Sequence, residues 1–256
     1  MTGRPAALVT GGGRGIGRAA CAALATRGFD VMAADISDEG ADATVAAVRA
    51  AGGAAEFRVA DVADIGAHAA LLDAAWERFG GVECLVNNAG VGALRRGDLL
   101  DATPESWDRC FAVNARGGFF LAQAAARRMV AADAPRRGAR SMVFVSSANA
   151  ALASPERAEY CASKAAASMV ARAFALRLAE HGIAVHEVRP GVIRTELTAP
   201  VAEAYTRRIE AGLSPVRRWG EAEDVGRAIA ALAAGDLPFS TGDAFNVDGG
   251  LHIGWL

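Results

Sequence analysis

The sequence has few of the features that mark secreted, membrane-spanning and metal-binding proteins. The four cysteines among its 256 residues form neither a CxxC pair nor a cluster with histidine, which argues against a disulfide framework and a metal site. The first residues lack the basic start, apolar stretch and cleavage site of a signal peptide. No uncharged apolar run reaches the length needed to span a bilayer. We therefore expect a reduced, cytoplasmic setting and no membrane partner.

The chain also lacks an excess of charge of either sign. Its formal net charge of -2 gives no electrostatic reason to expect a nucleic acid partner. A hydrophobic content of 52% with 22% charged residues is typical of a globular protein that buries a sizeable core. No linker rich in proline or serine, repeat or low-complexity segment interrupts the chain, so we expect residues 1–256 to form a single domain.

Short apolar runs alternate regularly with longer, alanine-rich amphipathic segments. This alternation predicts right-handed βαβ units and therefore a doubly wound α/β fold, with a parallel seven-stranded sheet and helices on both faces. The predicted strands are 6–10, 29–34, 56–60, 82–86, 141–146, 183–189 and 244–247. The predicted helices are 16–27, 41–51, 65–79, 104–130, 160–181 and 221–233.

Two irregular stretches remain, at 133–140 and 195–219. The first carries a basic patch of Arg136, Arg137 and Arg140, a pattern that is more often a solvated loop than a docking site. The second follows the carboxyl end of a predicted strand, which is where ligands bind in open parallel sheets. We therefore expect 195–219 to be a substrate lid.

The segment Thr10-Gly11-Gly12-Gly13-Arg14-Gly15-Ile16-Gly17 lies between the first predicted strand and the first predicted helix. Glycines allow a sharp turn and a close approach to a pyrophosphate, whose charge suits the N–H groups and positive dipole end of a following helix. Tight turns also use glycine for steric reasons alone. The position in the first βα turn favours dinucleotide binding.

Asp35 lies at the end of the second predicted strand, near the position where an acidic residue contacts the adenosine ribose in dinucleotide-binding folds. The alternative is that Asp35 caps the helix that starts near Asp38. A carboxylate at the ribose would repel a 2′-phosphate, so NAD(H) is favoured. Arg14 could accommodate that phosphate, which leaves NADP(H) possible.

The glycine spacing resembles the TGxxxGxG loop of the short-chain dehydrogenase/reductase family. The resemblance continues along nearly the whole chain in the family's order and spacing. It implies a Rossmann-type fold and an enzyme that moves a hydride between a nicotinamide and an alcohol or carbonyl group. The matching segments are Asp61-Val62, Asn87-Asn88-Ala89-Gly90, Asn114, Ser146-Ser147, Tyr160-Cys161-Ala162-Ser163-Lys164, Pro190-Gly191 with Thr195, and Thr241-Gly242 through Val247-Asp248-Gly249-Gly250.

The resemblance assigns catalysis to Asn114, Ser147, Tyr160 and Lys164. Tyr160 and Lys164 lie one helical turn apart and share a helix face. An ammonium beside a phenol favours the phenolate, so we expect Lys164 to lower the pKa of Tyr160 and make it a general acid/base. Ser147 is expected to donate to the substrate oxygen. The family also implies that Lys164 binds the nicotinamide ribose and that Asn114 holds a water that relays protons.

The same resemblance defines a set of cofactor-binding residues. The set combines residues of the glycine loop, the aspartate at the end of the second predicted strand, residues that follow three further strands, and two of the catalytic residues. The residues are Gly11, Arg14, Gly15, Ile16, Gly17, Asp35, Asp61, Val62, Asn88, Ala89, Gly90, Tyr160, Lys164, Pro190, Gly191, Ile193 and Thr195.

Each catalytic assignment has a structural alternative. A tyrosine and a lysine at this spacing are usually a surface pair, an asparagine in a helix is often a satisfied buried amide, and a Ser-Ser strand end is often a cap. The ordered coincidence of all four residues favours the catalytic interpretation.

The overall pattern is similar to 3-oxoacyl-acyl-carrier-protein reductases and to related sugar, polyol and alcohol dehydrogenases, so the small carbonyl or alcohol substrate stays open. A non-catalytic dinucleotide sensor is a remote alternative, because sensors usually lose the Tyr/Lys pair. The family also implies a homotetramer formed through 104–130, 160–181 and the apolar end 251–256. Small or apolar helix positions could support that contact, although a buried core face would look the same; they are Ala125, Met129, Ala167, Met169 and Phe174.

Overall fold

The structure is a computed structural model that describes residues 3–132, 135 and 138–254. Its α-helices are α1 (Gly15–Thr26), α2 (Ala41–Ala50), α3 (His68–Phe79), α4 (Pro104–Phe111), α5 (Gly118–Ala131), α6 (Ala158–Leu178), α7 (Ala202–Glu210) and α8 (Ala222–Ala233). Its strands are β1 (Ala6–Thr10), β2 (Asp30–Asp35), β3 (Ala55–Val59), β4 (Cys84–Asn87), β5 (Arg140–Val145), β6 (Ile183–Pro190) and β7 (Ala244–Val247). Two parts of the predicted segments lie outside the described residues. They are Arg136 and Arg137 of the basic patch, and residues 255–256 of the apolar C-terminal end.

The strands form one parallel sheet in the order β3-β2-β1-β4-β5-β6-β7. The order reverses between β1 and β4, which pair with Ala7 opposite Cys84 and Val9 opposite Val86. In a doubly wound sheet this reversal opens a crevice at the carboxyl ends of the strands, where ligands bind. The predicted fold class is confirmed.

Two hydrophobic cores cover the two faces of the sheet. On one face α3, α5 and α6 pack with Leu72, Leu121 and Met129 at the centre. On the other face α1, α2 and α8 pack around Leu24 and Ile229. Strands buried on both faces need continuous apolar runs, which explains why the runs in the sequence do not alternate with polar residues.

Helix starts are marked in the sequence by capping residues. Thr103 accepts a hydrogen bond from the Ser106 N–H, and Pro104 occupies the first turn of α4, where its missing N–H costs nothing. Glu221 and Asp224 form a reciprocal capping box at the start of α8. These capping residues mark where α4 and α8 begin.

The structure corrects two of the predicted elements. The predicted helix 104–130 is divided by a π-helical segment, Ala112–Gly117, that separates α4 from α5. The predicted irregular stretch 195–219 contains the helix α7, whose Tyr205 and Ile209 pack against Trp219 in a small separate core. Among the described residues, no helix has the length and apolar character required to cross a membrane.

The helix positions expected to support a tetramer divide into two groups. Ala125 and Met129 are buried in the core under the sheet, and Ala167 is buried as well, so the prediction that they offer a contact surface is wrong for these three. Phe174 packs against the same core. Met169 has 59% of its surface exposed and remains available for a contact between subunits.

Candidate active site

The glycine loop is a compact turn between β1 and α1. A Cβ atom on Gly17 would lie 1.9 Å from the carbonyl oxygen of Gly11, so only glycine fits there. Gly11 itself has a φ of +63°, in the left-handed region that glycine tolerates best. The helix that follows has no side-chain cap and no acidic residue in its first turn, so its positive end is open to an anion.

The end of β4 holds the glycine loop in place. The Asn88 side-chain amide donates to the carbonyls of Thr10, at 2.9 Å, and Gly11, at 3.1 Å. The Thr10 hydroxyl accepts hydrogen bonds from the backbone N–H groups of Asn88 and Ala89, each at 3.1 Å. These bonds join the two strands that flank the crevice, so the loop is preorganised.

Asp35 lies beside the glycine loop at the end of β2. Its carboxylate accepts hydrogen bonds from the N–H of Gly13, at 2.9 Å, and of Ile36, at 2.8 Å. Because α2 begins after Gly40, Asp35 is not the cap of that helix. Arg14 is exposed and lies 3.8 Å from the Glu39 carboxylate.

The remaining predicted cofactor residues line the carboxyl ends of β3 and β6. Asp61 is exposed and accepts a hydrogen bond from the N–H of Ala63, whereas Val62 is buried. Pro190 is the last residue of β6, and Gly191 donates to the Val247 carbonyl at 3.0 Å. Thr195 meets the glycine loop, since its Cγ2 would lie 3.2 Å from a Cβ on Gly15, and Ile193 is buried beneath it.

Lys164 lies in α6 and is buried beneath the Tyr160 ring. Its ammonium donates a hydrogen bond to the Val145 carbonyl at 3.0 Å and lies 5.9 Å from the centre of the Tyr160 ring. A Cβ on Gly90 would lie 3.1 Å from the Lys164 Nζ, so the segment after β4 also reaches this point. Burial lowers the pKa of Lys164 to about 8, and the charge of Glu187 acts in the opposite direction.

The pKa of Tyr160 moves in the direction opposite to the predicted one. Burial raises the pKa of the phenol, while the Ser147 hydroxyl and then the Arg157 guanidinium lower it. The prediction that Lys164 sets this pKa is therefore wrong for the structure, because burial outweighs the cations. Of the two cations near the ring, Arg157 is the closer, with its Cζ 5.4 Å from the ring centre.

Ser147 is buried just after β5 and caps a turn, which is the structural alternative considered from the sequence. Its hydroxyl accepts a hydrogen bond from the Asn149 N–H at 3.1 Å, which caps the short 3-10 turn Ala148–Ala150. The hydroxyl proton remains free to be donated toward Tyr160 or a ligand. Ser146 instead turns inward and donates to the buried Glu187 carboxylate.

Asn114 lies in the π-helical segment, a kind of distortion that is frequent at functional sites. Its amide oxygen accepts from the Val91 N–H at 2.8 Å, and its amide nitrogen donates to the Val91 carbonyl and the Ser163 hydroxyl, each at 2.9 Å. The side chain is thus a satisfied buried amide that ties the segment after β4 to α6.

Three further side chains reach the site that the sequence analysis did not single out. Arg157 donates to the Asn149 side chain at 2.8 Å and to the Tyr205 hydroxyl at 3.1 Å. Arg96 donates to the same hydroxyl at 3.3 Å. The available signal was the position of Arg157 three residues before Tyr160; for Arg96 and Tyr205 the sequence offers none.

The groove fits a nicotinamide dinucleotide on the observations above. The uncapped α1 terminus suits a pyrophosphate, and Asp35 presents a carboxylate at the end of β2. At the other end of the groove, a phenol, a serine hydroxyl and an ammonium lie together in a buried place. The fold and site together define a nicotinamide-dependent oxidoreductase.

Comparison with known proteins specifies the family. The family described as short chain dehydrogenase matches residues 5–206. Versicolorin reductase stcU of Emericella nidulans is 35% identical in an alignment that covers 95% of this chain and 94% of the relative. 3beta-Hydroxysteroid dehydrogenase 1 of Eggerthella lenta is 37% identical in an alignment that covers 96% of this chain and 93% of the relative.

Solved structures give the same result. The crystal structure of a 3-oxoacyl-[acyl-carrier protein] reductase from Brucella melitensis in complex with NAD is 49% identical, has a TM-score of 0.95 and covers 99% of each chain. The chain belongs to the short-chain dehydrogenase family. It is an oxidoreductase that acts on alcohol and carbonyl groups with a nicotinamide cofactor.

Proposed function

We propose that this chain interconverts a secondary alcohol and a ketone with Tyr160 as the general acid/base, assisted by Ser147, Lys164 and Asn114. The observation that carries the proposal is the burial of these four side chains around one point at the carboxyl ends of β4 and β5. They come from three places in the fold, with Tyr160 and Lys164 in α6, Asn114 in the π-helical segment and Ser147 after β5. A chance surface pair would not be buried in this way.

Tyr160 supplies the proton in the reducing direction. Its raised pKa keeps the phenol protonated at neutral pH, and a protonated phenol can donate to a carbonyl oxygen as negative charge develops there. Ser147 donates a second hydrogen bond to the same oxygen. In the oxidising direction the phenolate is needed, and the Ser147 hydroxyl and the Arg157 guanidinium favour it.

Lys164 keeps its proton at neutral pH, because its pKa of about 8 lies above 7. One of its three N–H groups is held by the Val145 carbonyl, which leaves two for a ribose hydroxyl and for the phenol. Asn114, at the π-helical segment, would position a water that carries protons between Lys164 and solvent.

The cofactor is held by the residues of the crevice. Bound there, a nicotinamide dinucleotide accepts or supplies the hydride. The glycine loop from Gly11 to Gly17 and the end of β6 from Pro190 to Thr195 would hold the dinucleotide. Asp35 would repel a 2′-phosphate, so we favour NAD(H) over NADP(H). The NAD complex of the Brucella structure supports this choice.

The proposed substrate is a 3-oxoacyl thioester of an acyl carrier protein, or alternatively a sugar, polyol or other alcohol. The name of the Brucella relative supports the first, and the hydroxysteroid relative supports the wider second class. A dinucleotide sensor without catalysis is disfavoured, since Tyr160 and Lys164 are both present and buried.

Several general properties belong to the same proposal. Residues 1–256 would form one domain, with 195–219 as a substrate lid, and four copies would assemble through the helices α4 to α6 and the C-terminal end. The cysteines described are all free, which is consistent with a cytoplasmic setting.

The proposal is tested by mixing the purified chain with each nicotinamide and a panel of secondary alcohols and ketones, and following the nicotinamide absorbance. We expect turnover of at least one pair. Dinucleotide binding without turnover of any compound would support the sensor instead.

A further inference from the structure

Two arginines and a tyrosine form a positively charged cluster next to Tyr160. Arg157 lies at the start of α6, Arg96 lies in the segment after β4, and Tyr205 lies in α7. Both guanidinium groups donate hydrogen bonds to the Tyr205 hydroxyl, at 3.1 Å and 3.3 Å. The cluster therefore joins the lid to both sides of the crevice.

The cluster contains several hydrogen-bond donors and few acceptors. The hydrogen bonds that reach the Tyr205 hydroxyl both come from cations, so its own proton is left to donate elsewhere. The Nε of Arg157 is buried and has no hydrogen-bond partner among the residues that the structure describes. A buried donor without an acceptor is costly.

Within the described part of the chain, the two partly buried arginines also lack a carboxylate partner. Arg157 and Arg96 form no ion pair there, whereas the half-buried Arg189 is paired with Glu187 at 2.8 Å. The nearby Glu159 is occupied by the Ser106 hydroxyl at 2.6 Å. Among the described residues, neither arginine therefore has a carboxylate within ion-pair distance.

We propose that Arg157 and Arg96 bind the carboxylate of the substrate, so that the enzyme acts on hydroxy acids and the corresponding oxo acids. This inference rests on the proposed function at Tyr160. A planar guanidinium fork matches a carboxylate with two parallel hydrogen bonds. The Tyr205 hydroxyl would add a third donor from the lid.

The position of Arg157 limits how far the carboxylate lies from the reacting carbon. Its Cζ is 5.4 Å from the centre of the Tyr160 ring, so the acid group and the alcohol belong to one small molecule and are separated by a few bonds. The phosphate of a pantetheine arm lies many bonds from its 3-oxoacyl group and would not reach both points. The inference therefore favours 2- or 3-hydroxy acids over carrier-bound thioesters.

A purely structural role makes a different prediction. Arg157 also holds the Asn149 side chain at 2.8 Å, in the turn that Ser147 caps, so its loss could disturb Ser147. Such a disturbance would slow the reaction of every substrate equally. Loss of a carboxylate contact would slow the acids more than the esters.

The test compares 2- and 3-hydroxy acids with the methyl esters of the same acids, in the wild type and in Arg157→Met. A hydrogen bond to a charged group is worth enough for about a ten- to hundredfold change. We expect the wild type to prefer the acid by that factor in kcat/KM, and Arg157→Met to remove the preference, because the acid rate falls by that factor more than the ester rate does. Arg96→Met should act in the same direction.

Arg208→Met is the matched control. Arg208 lies against the same Tyr205 ring, with its Cζ 5.6 Å from the ring centre, but is exposed. Its removal should leave the acid and ester rates unchanged. Equal wild-type rates for acid and ester, or equal losses for both in Arg157→Met, would overturn the inference.

Calorimetric titration of a hydroxy acid separates this inference from the proposed function. Binding to the wild type that is lost in Arg157→Met supports the carboxylate site even if no compound is turned over. Undetectable binding, or binding that Arg157→Met leaves unchanged, overturns it. Turnover of neutral alcohols alone would retain the proposed function and reject the acid site.

Discussion

The ammonium of Lys164 donates a hydrogen bond to the backbone carbonyl of Val145, at 3.0 Å. This contact joins α6 to the end of β5, two residues before Ser147. It places a cation in a fully enclosed position, where burial lowers its pKa to about 8. The site thus contains a charge that is unfavourable for folding and that the proposed reaction needs.

The first prediction is a pH dependence of stability that comes from Lys164. Between about pH 8 and the ordinary lysine pKa of 10.5, the folded protein binds fewer protons at this site than the unfolded chain does. The free energy of unfolding of the wild type should therefore rise with pH in this window, relative to Lys164→Met. Below pH 8 both states hold the proton and the difference should be constant.

Urea denaturation of both proteins at pH 7, 8, 9 and 10 measures this difference. The range stops at pH 10 because the raised pKa of Tyr160 acts with the opposite sign above it. A difference that stays constant from pH 7 to pH 10 would show that the pKa of Lys164 is not lowered.

The second prediction concerns the buried ion pair behind the site. Glu187 accepts hydrogen bonds from the Arg189 guanidinium, at 2.8 Å and 3.1 Å, and from Ser168, at 2.8 Å. Arg189→Met leaves the buried carboxylate without its cation, so the free energy of unfolding should fall by ~3–5 kcal/mol. The exposed pair of Arg177 with Glu180 supplies the control, because Arg177→Met should change little. Similar losses in both variants would contradict the account.

The third prediction separates two neighbouring serines. Ser147→Ala removes the donor to the substrate oxygen and should lower kcat by about two to three orders of magnitude. Ser146→Ala removes the bond to Glu187 and should cost stability, about 1.5–3 kcal/mol, with kcat nearly unchanged. Steady-state kinetics and thermal unfolding of both variants check the pair. A large loss of kcat in Ser146→Ala, with kcat nearly unchanged in Ser147→Ala, would reject the role given to Ser147.

The fourth prediction is the cofactor preference set by Asp35. NAD(H) should bind more tightly than NADP(H), and Asp35→Ser should narrow that gap by at least about tenfold, which is about 1.4 kcal/mol. Calorimetric titration of both cofactors measures it. Asp38→Ser, at an exposed position, should leave the preference intact. Equal affinities of the wild type for both cofactors would remove the basis of the prediction.

Much of the fold follows from apolar periodicity, because buried parallel strands and amphipathic helices carry strong patterns. The bounds of β1 and β7 were predicted to the residue. The π-helical segment was not, because a helix and its π-helical interruption share nearly the same periodicity. It forms where the Asn114 side chain bonds to Val91 and Ser163, and such tertiary contacts leave no local signal. The helix α7 was missed because a short, charged segment near two prolines resembles a loop.

The site was predictable only as far as its motifs extend. The sequence pattern includes Tyr160 and Lys164, but it does not show how deeply they are buried, and burial decides the direction of the Tyr160 pKa. Arg96 and Tyr205 are distant in sequence and meet only because α7 lies beside the segment after β4 in the fold. The residues proposed to bind the substrate carboxylate are therefore visible in the structure and not in the motifs.

The most direct test of the central claim is the rate of hydride transfer in Tyr160→Phe, measured by stopped flow at neutral pH with the best substrate from the panel. Calorimetry on the same variant should show dinucleotide affinity close to that of the wild type, because the ring and the glycine loop remain. We expect hydride transfer to slow by about two to four orders of magnitude. Near-normal hydride transfer with intact cofactor binding would contradict it.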